Sequence, residues 1–160
     1  MHLRGITFED FVNYKKPSMF LVTCNCDWKC CSEAGISHDA CQNSQIIESH
    51  IREHSDDSIY KAYIGNTISQ AIVIGGLEPM LQFEEVKALI KKFRDNGCND
   101  EFVIYTGYNK NEISSQIEVL KQFKNIIVKF GRFVPGQEKH FDDVLGVYLA
   151  SPNQRAERIS

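Results

Sequence analysis

Short, unbroken apolar runs alternate along the chain with segments whose apolar residues return every third or fourth position. Met19-Phe20-Leu21-Val22-Thr23, just after Pro17, and Ala71-Ile72-Val73-Ile74, ended by Gly75-Gly76, have the length of buried strands. Phe102-Val103-Ile104-Tyr105 predicts a third strand, and Asn125 to Phe130, rich in β-branched Ile126, Ile127 and Val128, a fourth. The clearest helix runs from Phe83 to Asn96. Its Phe83, Val86, Leu89, Ile90 and Phe93 share one face, and Gly97 stands where a left-handed cap belongs. Ile113, Ile117, Leu120 and Phe123 mark a second helix in the same way. Ser44 is expected to cap another, from about Gln45 to Glu53, with Ile46, Ile47 and Ile51 facing inward. Beyond Gly131 the pattern weakens, leaving one further strand near Val147 to Leu149.

Strand and helix in alternation predict an α/β fold with a mainly parallel sheet, since parallel neighbours need crossover connections. The sheet is expected to be either open or curved into a partial (β/α) barrel. A full eight-unit barrel takes about 250 residues, so these 160 complete only about half of one. In either case chemistry gathers at the C-terminal strand ends. The loop after the first strand, Gly75-Gly76 after the second and Thr106-Gly107-Tyr108 after the third then share one edge.

Length and composition add limits. Residues 1–160 read as a single domain with no repeat, low-complexity tract or linker. A net charge of −3 without a basic cluster argues against nucleic-acid binding. The apolar runs are too short to span a bilayer, and Met1 to Gly5 lacks a signal-peptide core, so a cytoplasmic address and no membrane association are expected.

Cysteine changes the picture most. Five of the six cysteines fall between positions 24 and 41, in the stretch following the first strand. In a reducing compartment such a cluster points to metal ligation. Cys26 and Cys30 are spaced to approach two corners of one iron–sulfur cubane. Cys41, reached through ten residues, is the preferred third ligand, with Cys24 and Cys31 as rivals. A structural zinc site drawn from the same thiols and His38 stays open on spacing alone.

Other motifs bear on that choice. Cys26-Asp27-Trp28-Lys29-Cys30 resembles the C-x-x-x-C half of the radical S-adenosylmethionine signature, and Cys41-Gln42-Asn43 resembles its third cysteine, with the second gap expanded. Gly75-Gly76-Leu77-Glu78-Pro79, Tyr105-Thr106-Gly107-Tyr108, Gly131-Arg132-Phe133 and Ser151-Pro152-Asn153-Gln154-Arg155 follow in order. Together these resemble the anaerobic ribonucleotide reductase activating proteins, over about Val12 to Ile159.

That resemblance implies a partial barrel of the radical S-adenosylmethionine type, with a 4Fe-4S-binding loop at about 24–43. Cys26, Cys30 and Cys41 would hold the cluster, whose open iron chelates S-adenosylmethionine. Gly75, Gly76, Leu77, Glu78, Thr106, Tyr108, Trp28 and Asn43 would surround that cofactor, with Glu78 meeting its ammonium and Trp28 shielding the cluster. Reductive cleavage would give methionine and a 5′-deoxyadenosyl radical. The radical takes hydrogen from a glycine in the large subunit of the anaerobic reductase, and no catalytic side chain is implied beyond cluster and cofactor. An electron donor such as flavodoxin or ferredoxin is the other implied partner. A radical enzyme acting on a small molecule, deazapurine synthase-like, and a zinc-stabilised binding module are the alternatives.

Overall fold

The computed structural model describes residues 1–41 and 43–160, and of Ala40 the backbone alone; Gln42, in the third-cysteine motif, lies outside the described residues. The chain runs β1 (His2–Leu3), β2 (Gly5–Asp10), β3 (Ser18–Val22), α1 (Lys29–Ala34), α2 (Ser44–Ile47), β4 (Arg52–Glu53) and α3 (Asp56–Gly65). It continues with β5 (Ala71–Gly75), α4 (Phe83–Asp95), β6 (Glu101–Tyr105), α5 (Ser114–Leu120), β7 (Ile126–Phe130), β8 (His140–Asp142), β9 (Val147–Leu149) and β10 (Arg155–Arg158). Six strands form one mixed sheet in the order β10-β7-β6-β5-β3-β2. The four expected strands, β3, β5, β6 and β7, are its parallel centre. Antiparallel β2 and β10 close the two edges.

The period-2 alternation of the central strands divides the core in two. Met19, Leu21, Ile72, Ile74, Phe102, Ile104, Ile126 and Val128 point to one face, where α3, α4 and α5 cover them. α4 contributes the expected Val86, Leu89, Ile90 and Phe93, all fully buried, and Gly97 follows at φ 80°. Ala71, Val73, Val103 and Ile127 point the other way, onto Tyr14, Leu145, Leu149 and Ala156. Towards the C-terminal strand ends this second face opens into a cavity.

One expected helix needs correcting. The helix from Gln45 to Glu53 is one turn, Ser44–Ile47; Ile51 is exposed and Arg52–Glu53 is an edge strand paired with β1. Arg4 explains the stop: its guanidinium takes the Ile47 carbonyl at 2.6 Å and also the Ser49 carbonyl, ending the ladder there. The real crossover helix is α3, which follows. Ser55 caps it by accepting from the Ser58 N–H at 3.1 Å, Asp56 and Asp57 occupy its first turn, and Ile59 and Tyr63 face the core. Among the described residues no helix is long and apolar enough to cross a membrane.

Candidate metal centre

All four parallel strands deliver residues to one cavity of about 370 Å³ at their C-terminal ends. β3 contributes Phe20 and leads into the loop carrying Cys26, Trp28, Cys30 and Cys31; β5 leads into Gly76, Leu77 and Glu78. Tyr105, Thr106 and Gly107 come from the end of β6, and Lys129 and Gly131 from β7. Cys41 and Asn43 enter from the far side of the ten-residue excursion.

The thiols are held by backbone. Trp28, at φ 59°, sits in the left-handed region and opens α1; the turn through it brings its N–H to 3.3 Å from Cys26 Sγ. A bulky residue in that conformation costs about 1 kcal/mol, and its ring is fixed by stacking on His38 at 4.1 Å. The Asn43 N–H makes the same two-residue turn onto Cys41 Sγ, at 3.5 Å. Cys30 Sγ rests against Gly107, where a Cβ would come within 2.9 Å of it, and the Phe133 backbone approaches it from β7's loop. Burial pushes the Cys26 and Cys30 thiols up from their ordinary range. Cys31 is almost wholly enclosed, and burial, with Cys41 close by, raises its thiol to about 11. Cys24 is buried and is not among the residues lining the cavity. Among the described residues no three His, Cys, Asp or Glu side chains gather as a single metal ion would need. The thiols line a cavity wall instead.

Two buried titratable side chains line the same cavity. Glu78 is 7 % exposed. Its Oε1 accepts from the Met80 N–H at 3.0 Å and the Thr106 hydroxyl at 2.7 Å, and its Oε2 accepts from the Gly107 N–H at 2.8 Å. Burial pushes this carboxyl up against those bonds. Lys129 is 6 % exposed, and its Nζ donates to the Gly131 carbonyl at 2.8 Å. Burial lowers it to about 8. Lys129 went unnoticed in the sequence because its strand is otherwise apolar, and that interruption was the available signal.

Of the expected cofactor residues, Trp28, Asn43, Gly76, Leu77, Glu78 and Thr106 line the cavity. Gly75 does not. It ends β5, where a Cβ would lie 3.0 Å from that of Tyr105. Tyr108 also turns aside, donating its hydroxyl to Asp27 Oδ2 at 2.5 Å. The two C-terminal motifs interlock: Asn153 Nδ2 donates to the Arg132 carbonyl at 2.8 Å, and buried Gln154 reaches the Gly131 carbonyl at 3.3 Å.

Residues 15–155 match the family model of the 4Fe-4S single cluster domain, which spans most of the chain. The chain belongs to that family. No curated protein and no solved structure matches it. For a 4Fe-4S single cluster domain the donor set fits: soft thiols around one cavity, two of them already accepting a backbone N–H. Cys26, Cys30, Cys31 and Cys41 all line that cavity, and iron there would be held from among them.

Proposed function

We propose that this 4Fe-4S domain is a radical S-adenosylmethionine activase. On this reading it generates a glycyl radical on the large subunit of an anaerobic ribonucleotide reductase, with flavodoxin or ferredoxin as electron donor. When bound, the cluster supplies one electron that breaks a sulfonium carbon–sulfur bond of S-adenosylmethionine, so that a glycine hydrogen ends on 5′-deoxyadenosine and methionine departs.

The observation that carries the reading is the pairing of thiols with a buried carboxylate and a buried ammonium in one cavity. An α-amino acid is a zwitterion. Glu78 has a free lone pair on Oε2 for an ammonium, and Lys129 has two N–H bonds left for a carboxylate. The methionine end of S-adenosylmethionine would therefore be oriented from both sides, next to the iron that it chelates. Thr106 and Gly107 hold Glu78 in place, so that the carboxylate does not reorganise on binding. Gly76, at φ 86°, and Leu77 bring backbone close to the same space. Phe20, Tyr105 and Leu149 give the cavity an apolar wall. The partial barrel belongs to this reading, supported by central strands that neighbour one another in sequence order with helices on one face.

Three measurements in sequence test it. Anaerobic reconstitution with iron and sulfide should give a brown protein with four irons per chain; stoichiometric zinc without colour would mean the binding module instead. Dithionite and S-adenosylmethionine should then yield 5′-deoxyadenosine, and a loaded protein unable to form it would overturn the activity. Mixing with a candidate reductase should produce the doublet glycyl signal in electron paramagnetic resonance. Cleavage without that signal would favour the small-molecule enzyme.

A further inference from the structure

Backbone ties the loop that bears Cys26 and Cys30 at one point, where the Glu78 N–H donates to the Asn25 carbonyl at 2.7 Å. Side chains add a second fastening, centred on Arg132 in the loop after β7. This side chain is 8 % exposed, and its two terminal nitrogens fork onto Glu112 at 2.6 and 2.7 Å. Nη1 also donates to the Gly107 carbonyl at 3.2 Å, behind the Cys30 thiol. Nε lies 2.6 Å from Glu33 Oε2 in α1, an ion-pair contact without hydrogen-bond alignment. Glu112 in turn takes Lys29 Nζ at 2.7 Å and caps the turn at Asn109. Lys29 and Arg132 lie over the Tyr108 ring, at 5.3 and 5.8 Å from its centroid, and the Tyr108 hydroxyl reaches Asp27. Asp27, Lys29 and Glu33 are thus all tied to the loops after β6 and β7; they flank Cys30 in sequence, and Asp27 directly follows Cys26.

We propose that Arg132 is a positioning residue for the iron–sulfur site: it locks the Cys26–Cys30 loop onto the sheet edge, and its charge favours the reduced cluster. The inference rests on Cys26 and Cys30 being ligands; it does not depend on S-adenosylmethionine. Two physical arguments carry it. A planar fork that bridges Glu112, Glu33 and a carbonyl fixes three segments at once, which an ammonium on a flexible stem does not. The guanidinium is also within electrostatic reach of Cys30. A cluster that gains an electron gains negative charge, so a nearby cation stabilises the reduced state, and hydrogen bonding and charge around a site tune its potential. Glu112 and Glu33 act in the opposite sense.

Opposite charges on one latch give a signature that a merely structural contact lacks. In anaerobically reconstituted full-length protein, Arg132→Gln should lose its cluster to a chelator about tenfold faster. Its midpoint potential should move to a more negative value, because Glu112 and Glu33 are left facing the loop with Lys29 alone. Glu112→Gln should also speed the loss while moving the potential the other way. Arg132→Lys should keep a near-native potential yet lose iron faster. The measurements are visible absorption decay, redox titration followed by electron paramagnetic resonance, and thermal melting of the apo form. Wild-type loss rates and potentials in both Arg132→Gln and Glu112→Gln would overturn the proposal, and so would potentials shifting in the same direction. If Arg132→Gln fails to fold, Glu112→Gln and Arg132→Lys decide in the same way. Cys30→Ala separates the premise: four irons retained there would mean that the ligand choice had failed, whatever the latch does.

Discussion

At the residue scale, hydrogen bonding sorts the cysteines more sharply than spacing does. Cys26 and Cys41 each accept the N–H two residues on, and Cys30 is seated against Gly107, where only a residue without Cβ fits. Replacing Cys26, Cys30 or Cys41 singly by alanine is expected to abolish the visible absorption of reconstituted protein, whereas Cys31→Ala and Cys98→Ala should retain four irons. Full colour in Cys41→Ala would transfer its role to Cys31, which lines the same cavity. Lys129 invites a different measurement. A buried ammonium with a single carbonyl partner is poorly satisfied alone and better satisfied by an incoming carboxylate. Lys129→Met should leave iron content unchanged and weaken S-adenosylmethionine binding about tenfold, the loss of one charged hydrogen bond. Equilibrium binding with native affinity would remove Lys129 from the site.

At the element scale, what the sequence made legible depended on continuous apolar pattern. β3, β5, β6 and β7 are largely buried on both faces, so their residues read as hydrophobic runs, broken in β7 only by Lys129, and α4 showed its stripe for the same packing reason. β2 and β10 escaped notice because edge strands carry polar residues: Arg155, Glu157 and Arg158 advertise solvent rather than a ladder. α3 was missed because only Ile59 and Tyr63 of its ten residues are fully buried, although Ser55 with Asp56 and Asp57 wrote a start signal. The site was legible as far as its motifs extended; Lys129 and the Arg132 bridges depend on contacts between loops distant in sequence. At Gly76 the need for glycine is steric. At φ 86° a Cβ would stand 2.7 Å from Val22 Cγ1, pressing β5's exit into β3. Gly76→Ala should destabilise the apo protein by about 2 kcal/mol in urea unfolding; an unchanged midpoint would show that the turn relaxes freely.

At the scale of the whole molecule, the strands have two differently equipped ends. At the end away from the thiols, Glu101 opens β6 and joins Lys16 at 2.7 Å, the Tyr14 hydroxyl at 2.8 Å and Arg158 of β10. Burial pushes its carboxyl up, but those bonds prevail and hold it at about 2. A depressed carboxylate contributes stability that is complete above its unfolded value, 4.5, and is lost as pH falls towards 2. Glu101→Gln should therefore lower stability at neutral pH by on the order of 2 kcal/mol and flatten the acid limb between those values. Chemical denaturation at pH 7 and pH 3 measures the difference, and parallel curves for the two proteins would remove Glu101 from that role.

Five residue steps along β6 separate Glu101 from Thr106, about 17 Å at the rise of a strand. Perturbations that far apart with no shared partner add nearly independently. Robustness and redox tuning are thereby assigned to opposite poles, and a gain in one can be engineered, or drift under selection, without a penalty levied on the other.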